Sequence, residues 1–140
     1  MKKIGGFWSG QYSIYHGTEE DSDIQYFSFQ MKIKMDDDSF TGEFMDQTIK
    51  SEKSEISGFV QDDFISFVRN APQNKEFREF LNFDMKDENK PLEFIFNGNW
   101  DSKDNSFVGV WELEIGEESQ GYQEKFITEY RTGAWYLLRE

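Results

Sequence analysis

A five-residue pattern recurs along the chain and limits the folds that it can adopt: a large apolar residue, any residue, glycine, any residue, and a second large apolar residue. The copies are centred on Gly10, Gly42, Gly58, Gly98 and Gly109, and a weaker copy, with Arg131 in the first apolar position, is centred on Gly133. In a β-strand, positions i, i+2 and i+4 share one face, so each copy places glycine between two large side chains. Glycine lets a sheet bend sharply, and flanking rings cover the gap that it leaves. The pattern therefore predicts a strongly curved sheet.

Alternation of apolar and polar residues extends these centres into antiparallel strands. The clearest alternation lies between Phe27 and Met35, where every second residue is large and apolar. The predicted strands are residues 6–16, 24–35, 39–47, 54–60, 64–69, 92–101, 106–114 and 130–139. We predict an all-β fold, a closed antiparallel up-and-down barrel of about eight strands in one domain that spans residues 1–140.

Two stretches leave the strand count open between eight and ten. In residues 74–83, Phe77, Phe80 and Leu81 have helical spacing and Asn74 fits an N-cap, which favours a short helix. Residues 81–85 equally fit an extra strand that pairs back to Leu92. Residues 122–129 either lead into the last strand or form one of their own. We prefer eight strands with a short helix around 74–85.

Composition excludes several classes of partner and chemistry. The chain has 15 basic and 28 acidic side chains, a net charge of −13, whereas nucleic acid and anionic membranes attract basic surfaces. Aromatic residues make up 18% of the chain, unlike disordered proteins, and the absence of cysteine excludes disulfides and thiol catalysis. Met1, Lys2 and Lys3 are followed by Gly5, Gly6 and the polar run Ser9-Gly10-Gln11, where a signal peptide needs an apolar stretch. We therefore expect a cytoplasmic protein with no nucleic-acid or membrane partner.

The sequence offers little catalytic chemistry. His16 is the only histidine, so neither a catalytic triad nor a histidine-rich metal site is expected. The acidic clusters at 36–38 and 101–105 do not match a calcium-binding loop and are predicted to be β-turns. Asp46 is predicted to point inward, but a single carboxylate without a partner does not make an acid–base pair. We expect no catalytic residue, no metal and no cofactor.

An interior lined by aromatic rings favours a small-ligand site. An eight-stranded barrel has an interior that side chains can fill or that holds one small ligand. If the glycines face inward, they leave interior volume open beside flat aromatic walls, and a Cβ at Gly109 would compete with the rings. We predict that the barrel binds an apolar or aromatic ligand. The candidate ligand-binding residues are Trp8, Tyr12, His16, Phe44, Trp100, Trp111 and Trp135.

The alternative is a filled barrel that acts through its outer surface as an acidic interaction module, an inhibitor or adaptor. The strong negative charge would steer such a protein toward basic partners. In this interpretation the outward aromatic and aliphatic residues form a patch or a subunit interface. The residues assigned to this outer set are Phe7, Tyr15, Phe59, Ile65 and Phe67. The oligomeric state is left open.

Short motifs at both ends of the chain resemble a known group of barrels. Gly6-Phe7-Trp8, at the start of a long first strand, resembles the G-x-W motif of lipocalins and fatty-acid-binding proteins. The glycine frames and the terminal Gly133-Ala134-Trp135 resemble avidin-like barrels. The calycin-type resemblance implies a small ligand in the barrel mouth. It also implies a structural contact between the first-strand tryptophan and an arginine of the last strand, for which Arg139 is the first choice and Arg131 the second. No biotin-binding set is present, so the resemblance does not identify a ligand.

Overall fold

The structure, a computed structural model, describes residues 3–16, 23–47, 53–71, 92–120 and 125–140. Each strand pairs antiparallel with the next along the chain, and the last pairs with the first, which closes the barrel. The strands are β1 (Gly6–His16), β2 (Asp23–Asp36), β3 (Ser39–Asp46), β4 (Lys53–Gln61), β5 (Phe64–Ala71), β6 (Leu92–Asp101), β7 (Ser106–Gln120) and β8 (Lys125–Arg139). The predicted fold class is confirmed.

The observed strand bounds lie close to the predicted ones except in β7 and β8. β7 runs six residues beyond its predicted end, and β8 begins at Lys125, so residues 125–129 lead into the last strand. The β7–β8 pairing shifts register between Glu114 and Gly116, where a β-bulge interrupts the ladder. The predicted short helix around 74–85 lies outside the described residues.

Three short connections lie at one end of the barrel, which we name the turn end. They join β2 to β3, β4 to β5 and β6 to β7, and the chain enters β1 and leaves β8 at the same end. Asp37, Asp62 and Asn105 have φ of 55°, 54° and 50°, a left-handed conformation that Asp and Asn tolerate in turns. The predicted β-turns are confirmed. The opposite end, toward which β3 and β5 run, is named the far end.

Large apolar side chains fill the described interior. The large apolar residues that alternation predicts to face inward on β1 to β4 and on β6 to β8 are buried, with Trp100 only partly buried. Ring centroids of neighbours lie close together, at 4.3 Å for Phe29–Phe44 and 4.7 Å for Phe67–Phe96, both stacked pairs. Aromatic pairs at these separations add stabilisation beyond the burial of their area. The interior is therefore a packed aromatic core over the part that these residues line.

The predicted outward position of Ile65 and Phe67 is wrong. Their exposed fractions are 0% and 1%, and they face the core. The β4–β5 connection is a two-residue turn, so Val60 pairs directly with Ile65, and residues directly opposite in a ladder share a face. Because Val60 points inward, Ile65 does too. The same register turns Arg69 into the barrel.

The inward glycines admit neighbouring backbone rather than open volume, which corrects the expected reason for their presence. A Cβ on Gly109 would overlap the Asn97 carbonyl oxygen and would lie 2.6 Å from the Gly98 Cα. A Cβ on Gly133 would overlap the Ser13 carbonyl oxygen. These carbonyls lean inward where the strands coil, and only glycine leaves room for them.

Candidate ligand-binding site

A polar cluster lies inside the barrel toward its far end. Asp46 is the last residue of β3, and Ser54 lies near the start of β4. Arg69 lies near the end of β5, and Tyr12 reaches these residues from β1. Arg69 Nη2 lies 3.6 Å from Asp46 Oδ2, and both side chains are fully buried. Arg69 Nε donates to Ser54 Oγ at 3.0 Å, and the Tyr12 hydroxyl donates to Asp46 Oδ2. Four strands thus bring one cation, one anion and two hydroxyls together.

Aromatic rings enclose this polar cluster. The Arg69 guanidinium lies 4.1 Å from the Phe44 ring centroid and 5.2 Å from that of Phe94. The Tyr12 ring packs 5.4 Å from Phe27 and 6.2 Å from Trp111. Cation–π contacts of a desolvated guanidinium contribute about 2 kcal/mol each. The cluster therefore combines charged hydrogen-bonding groups with flat apolar walls.

Burial makes this cluster costly for folding. Transferring two charges from water to a protein interior costs several kcal/mol per ion, and their mutual attraction only partly offsets it. Packed apolar residues of similar volume often replace a buried ion pair without loss of stability. Arginine presents five N–H donors in a fixed planar fork, suited to carboxylates and other planar polar groups. The chemistry available here is recognition of a polar group.

Tyr12 is the titratable group that this environment perturbs most clearly. Burial raises the pKa of the Tyr12 phenol well above its ordinary value of 10.0, and the Asp46 carboxylate raises this pKa further. Arg69 acts in the opposite direction. The neutral phenol is favoured because it donates its proton to Asp46 in a site that disfavours a second negative charge. Tyr12 is thus a hydrogen-bond donor rather than a base.

We expect Tyr12 to make folding stability fall at alkaline pH. Its pKa is higher in the folded than in the unfolded chain, so the stabilisation it contributes is complete below about pH 10 and is lost as pH rises through the folded pKa. Tyr12→Phe removes this contribution. Between pH 8 and 11, the free energy of unfolding measured in urea should therefore fall less steeply with pH in Tyr12→Phe than in the parent. Tyr26→Phe, the same substitution at an exposed position, is the matched control. Equal slopes for Tyr12→Phe and the parent would contradict this assignment.

The structure divides the predicted ligand-binding residues into separate groups. Tyr12, Phe44 and Trp111 meet around the cluster, with Tyr12–Phe44 and Tyr12–Trp111 centroids each 6.2 Å apart. Trp8 and Trp100 lie together near the turn end, 6.4 Å apart. Two predicted residues join neither group. These are Trp135, which packs on Phe67 and Phe96, and His16, whose side chain lies outside the described part.

Backbone carbonyls accept the indole N–H groups of three tryptophans. Trp8 Nε1 donates to Ile4 O at 2.8 Å, and Trp111 Nε1 donates to Ser13 O at 2.8 Å. Trp135 Nε1 donates to Val110 O at 3.0 Å. The Ser13 carbonyl is the one that leans over Gly133. These hydrogen bonds hold the three indole rings in place, and their N–H groups donate to the protein's own backbone.

Arg139 and Trp8 close the turn end. The Arg139 guanidinium lies 4.6 Å from the Trp8 ring centroid, the contact that the resemblance implies for the last-strand arginine. Its two Nη atoms donate to Gly5 O at 3.1 Å and Lys3 O at 2.8 Å. Gly6, the first residue of β1, follows these carbonyls in the chain. Its φ is 118°, a conformation that residues with a side chain rarely adopt. This end is a structural plug.

Sequence reasoning missed Arg69 and Ser54 and left Asp46 without a partner. The signal for Arg69 was its place in the series Ile65, Phe67, Arg69 and Ala71, which alternates with Ser66, Val68 and Asn70, read together with a two-residue turn. No pattern in the sequence near Asp46 indicates that Arg69 is its partner, because β3 and β5 are separated by β4 and do not pair. The polar cluster is a product of barrel closure.

Two surface grooves lie outside the barrel wall. One, of about 530 Å³, crosses β2, β3 and β4 and is lined by charged side chains that include Lys32, Lys34, Glu43 and Glu55. The other, of about 220 Å³, lies over Gly10 between β8, β1 and β2. Within the described chain, no three histidine, aspartate or glutamate side chains gather to hold a metal.

Comparison with known proteins adds no family. No family model, no curated protein and no solved structure matches the chain. Within the described residues, no helix has the length and hydropathy that crossing a membrane requires. What the geometry establishes is an eight-stranded antiparallel closed barrel, compatible with a calycin-like fold, that carries a buried polar cluster.

Proposed function

We propose that the barrel binds a small ligand with an apolar or aromatic body, and that a polar group of this ligand reaches Arg69, Asp46 and Tyr12. The observation that supports the proposal is the fully buried ion pair between Arg69 and Asp46 among aromatic rings. Buried charges are costly and concentrate at functional sites. Ligand sites pair predominantly apolar walls with a few convergent polar groups.

The ligand body lies in this proposal against the rings at the far end. Phe27 and Trp111 pack against the Tyr12 ring, and Phe44 and Phe94 pack against the Arg69 guanidinium. Entry displaces ring contacts, so the ligand must supply comparable contacts of its own. An aromatic or aliphatic body does so. The chain is proposed as a non-catalytic, cytoplasmic member of the calycin-type barrels.

A panel of fatty acids, retinoids and aromatic metabolites tests the proposal. We expect at least one class to raise the thermal unfolding temperature and to change tryptophan fluorescence, because Trp111 lies beside the cluster. Tyr12→Phe keeps the ring and removes the hydroxyl, and should weaken binding about tenfold, the effect of losing a contact worth about 1.4 kcal/mol. Tyr26→Phe, at an exposed outer position, should bind as the parent does. No response from any class would contradict the proposal.

The packed rings favour a second candidate, the acidic interaction module with a filled barrel. Its motivation is the dense stacking of Phe29 on Phe44 and of Phe67 on Phe96, together with the net charge of −13. Such a module would capture basic proteins, and capture would weaken as salt screens the attraction. A pull-down across a salt series, run beside the ligand panel, distinguishes the two candidates.

A further inference from the structure

Nine neighbouring outward residues of the described barrel wall carry no charge, and we name this patch the neutral face; the exposed Glu93 and Glu112 lie beyond it toward the far end. It is formed by outward residues of β6, β7, β8 and β1 that lie side by side in the ladders. Its residues are Asn97, Asn99, Val108, Val110, Ala134, Tyr136, Leu138, Ser9 and Gln11. With 31% of the chain charged, about three charges would be expected among nine positions. The exposed positions of β2, β3 and β4, by contrast, include Lys32, Lys34, Glu43, Lys53 and Glu55.

The centre of the neutral face is apolar and open to solvent. The exposed fractions are 59% for Val110, 42% for Val108, 40% for Leu138 and 37% for Tyr136. Asn97 and Asn99 border this centre on one side, and Ser9 and Gln11 border it on the other. An uncharged apolar centre with a hydrogen-bonding rim is the composition of protein–protein interfaces.

We propose that the neutral face docks against the same face of a second copy of this chain. A basic partner would gain attraction from acidic residues at the contact, and this face offers none. Two copies that each carry −13 repel each other through every charged surface, so the surface free of charge is where they can meet. The match of a neutral face to itself also fits the self-complementary interface of a two-fold dimer.

The size of the neutral face predicts a weak dimer. Four neighbouring strands about 4.8 Å apart and three outward rows about 6.7 Å apart give a face roughly 20 Å across in each direction. Such a face, about 400 Å², is roughly half the size of a standard specific interface, which buries about 800 Å² per partner. We therefore expect monomers at about 1 μM and dimers at several hundred μM. Interface area is one determinant of this affinity, and the quality of the contacts is another.

The sign of the salt dependence separates a second copy from a basic partner. Sedimentation equilibrium of the purified chain between 1 μM and 1 mM should show dimers, and raising NaCl from about 20 mM to 300 mM should strengthen dimerisation severalfold, because salt screens the repulsion between like charges. A chain that stays monomeric to 1 mM overturns the proposal. So does dimerisation that weakens as salt rises, because charge attraction would then hold the copies together.

Two variants place the contact on the neutral face. Val110→Glu introduces a charge into the centre of each copy and should weaken dimerisation at least tenfold. Thr41→Glu adds the same charge at an exposed position of β3, on the opposite side, and should dimerise as the parent does apart from a small effect of net charge. Leu138→Gln, which adds no charge, should also weaken dimerisation and guards against misfolding of Val110→Glu. Unchanged dimerisation in folded Val110→Glu and Leu138→Gln overturns the assignment, whatever the ligand panel shows.

Discussion

Asp46→Leu should destabilise the barrel by about 3–5 kcal/mol, the cost of removing one partner of a buried ion pair. The loss leaves the Arg69 guanidinium fully buried without the carboxylate 3.6 Å away. A guanidinium cannot lose its proton in a protein, so the charge persists. Arg69→Met should cost less, because the remaining Asp46 carboxylate still accepts a hydrogen bond from the Tyr12 hydroxyl.

The double variant Asp46→Leu, Arg69→Met separates stability from function. It replaces the ion pair with apolar side chains of similar size, and such replacements are often neutral or stabilising. We expect its free energy of unfolding in urea to lie close to that of the parent and well above that of Asp46→Leu. If the double variant is as unstable as Asp46→Leu, the ion pair is a structural requirement of the barrel, and its retention no longer argues for a ligand.

Gly109→Val should destabilise the barrel by about 3 kcal/mol, the upper part of the range for overpacked interiors. The obstacle is backbone: the Asn97 carbonyl oxygen and the Gly98 Cα occupy the space of the new side chain. Backbone inside a closed barrel cannot move aside as a flexible side chain can. The better strand propensity of valine is too small to offset this clash.

Two variants control for substitution in this region. Val108→Thr changes an exposed neighbour of Gly109 and should alter stability by less than about 0.5 kcal/mol. Gly5→Ala places a Cβ where the nearest atoms lie 3.8 Å away and should also be tolerated. All three are compared by urea denaturation at low protein concentration. A Gly109→Val protein as stable as its parent would mean that the Asn97 carbonyl does not lie over Gly109.

The barrel and most of its interior follow from the sequence because both rest on local patterns. Alternation fixes which residues of a strand share a face, and the glycine frames mark where the sheet bends. These two signals predict β1 from Gly6 to His16 and place Trp8 and Trp111 in the core, as the structure shows. The short turns at 36–39 and 61–64 follow from their Asp residues.

The polar cluster could not be predicted because it depends on distances across the barrel. Tyr12 and Asp46 meet although β1 and β3 are separated by β2, and Asp46 and Arg69 meet across β4. Such contacts depend on strand tilt and stagger, which no local pattern encodes. The predicted orientation of the β5 side chains was wrong because of the turn after Val60. One residue more or less in this turn reverses the face to which every following side chain points.

The most direct test of the ligand site is the Arg69 Nε–Hε resonance in a 1H–15N NMR spectrum, recorded with and without the ligand that most raises the unfolding temperature. The double variant Asp46→Leu, Arg69→Met identifies the resonance by its absence. The proposal predicts that this resonance shifts with ligand concentration while the amide of Thr41, at an exposed position of β3 near the turn end, does not. A ligand that shifts outer-wall amides and leaves Arg69 unchanged would contradict an interior site.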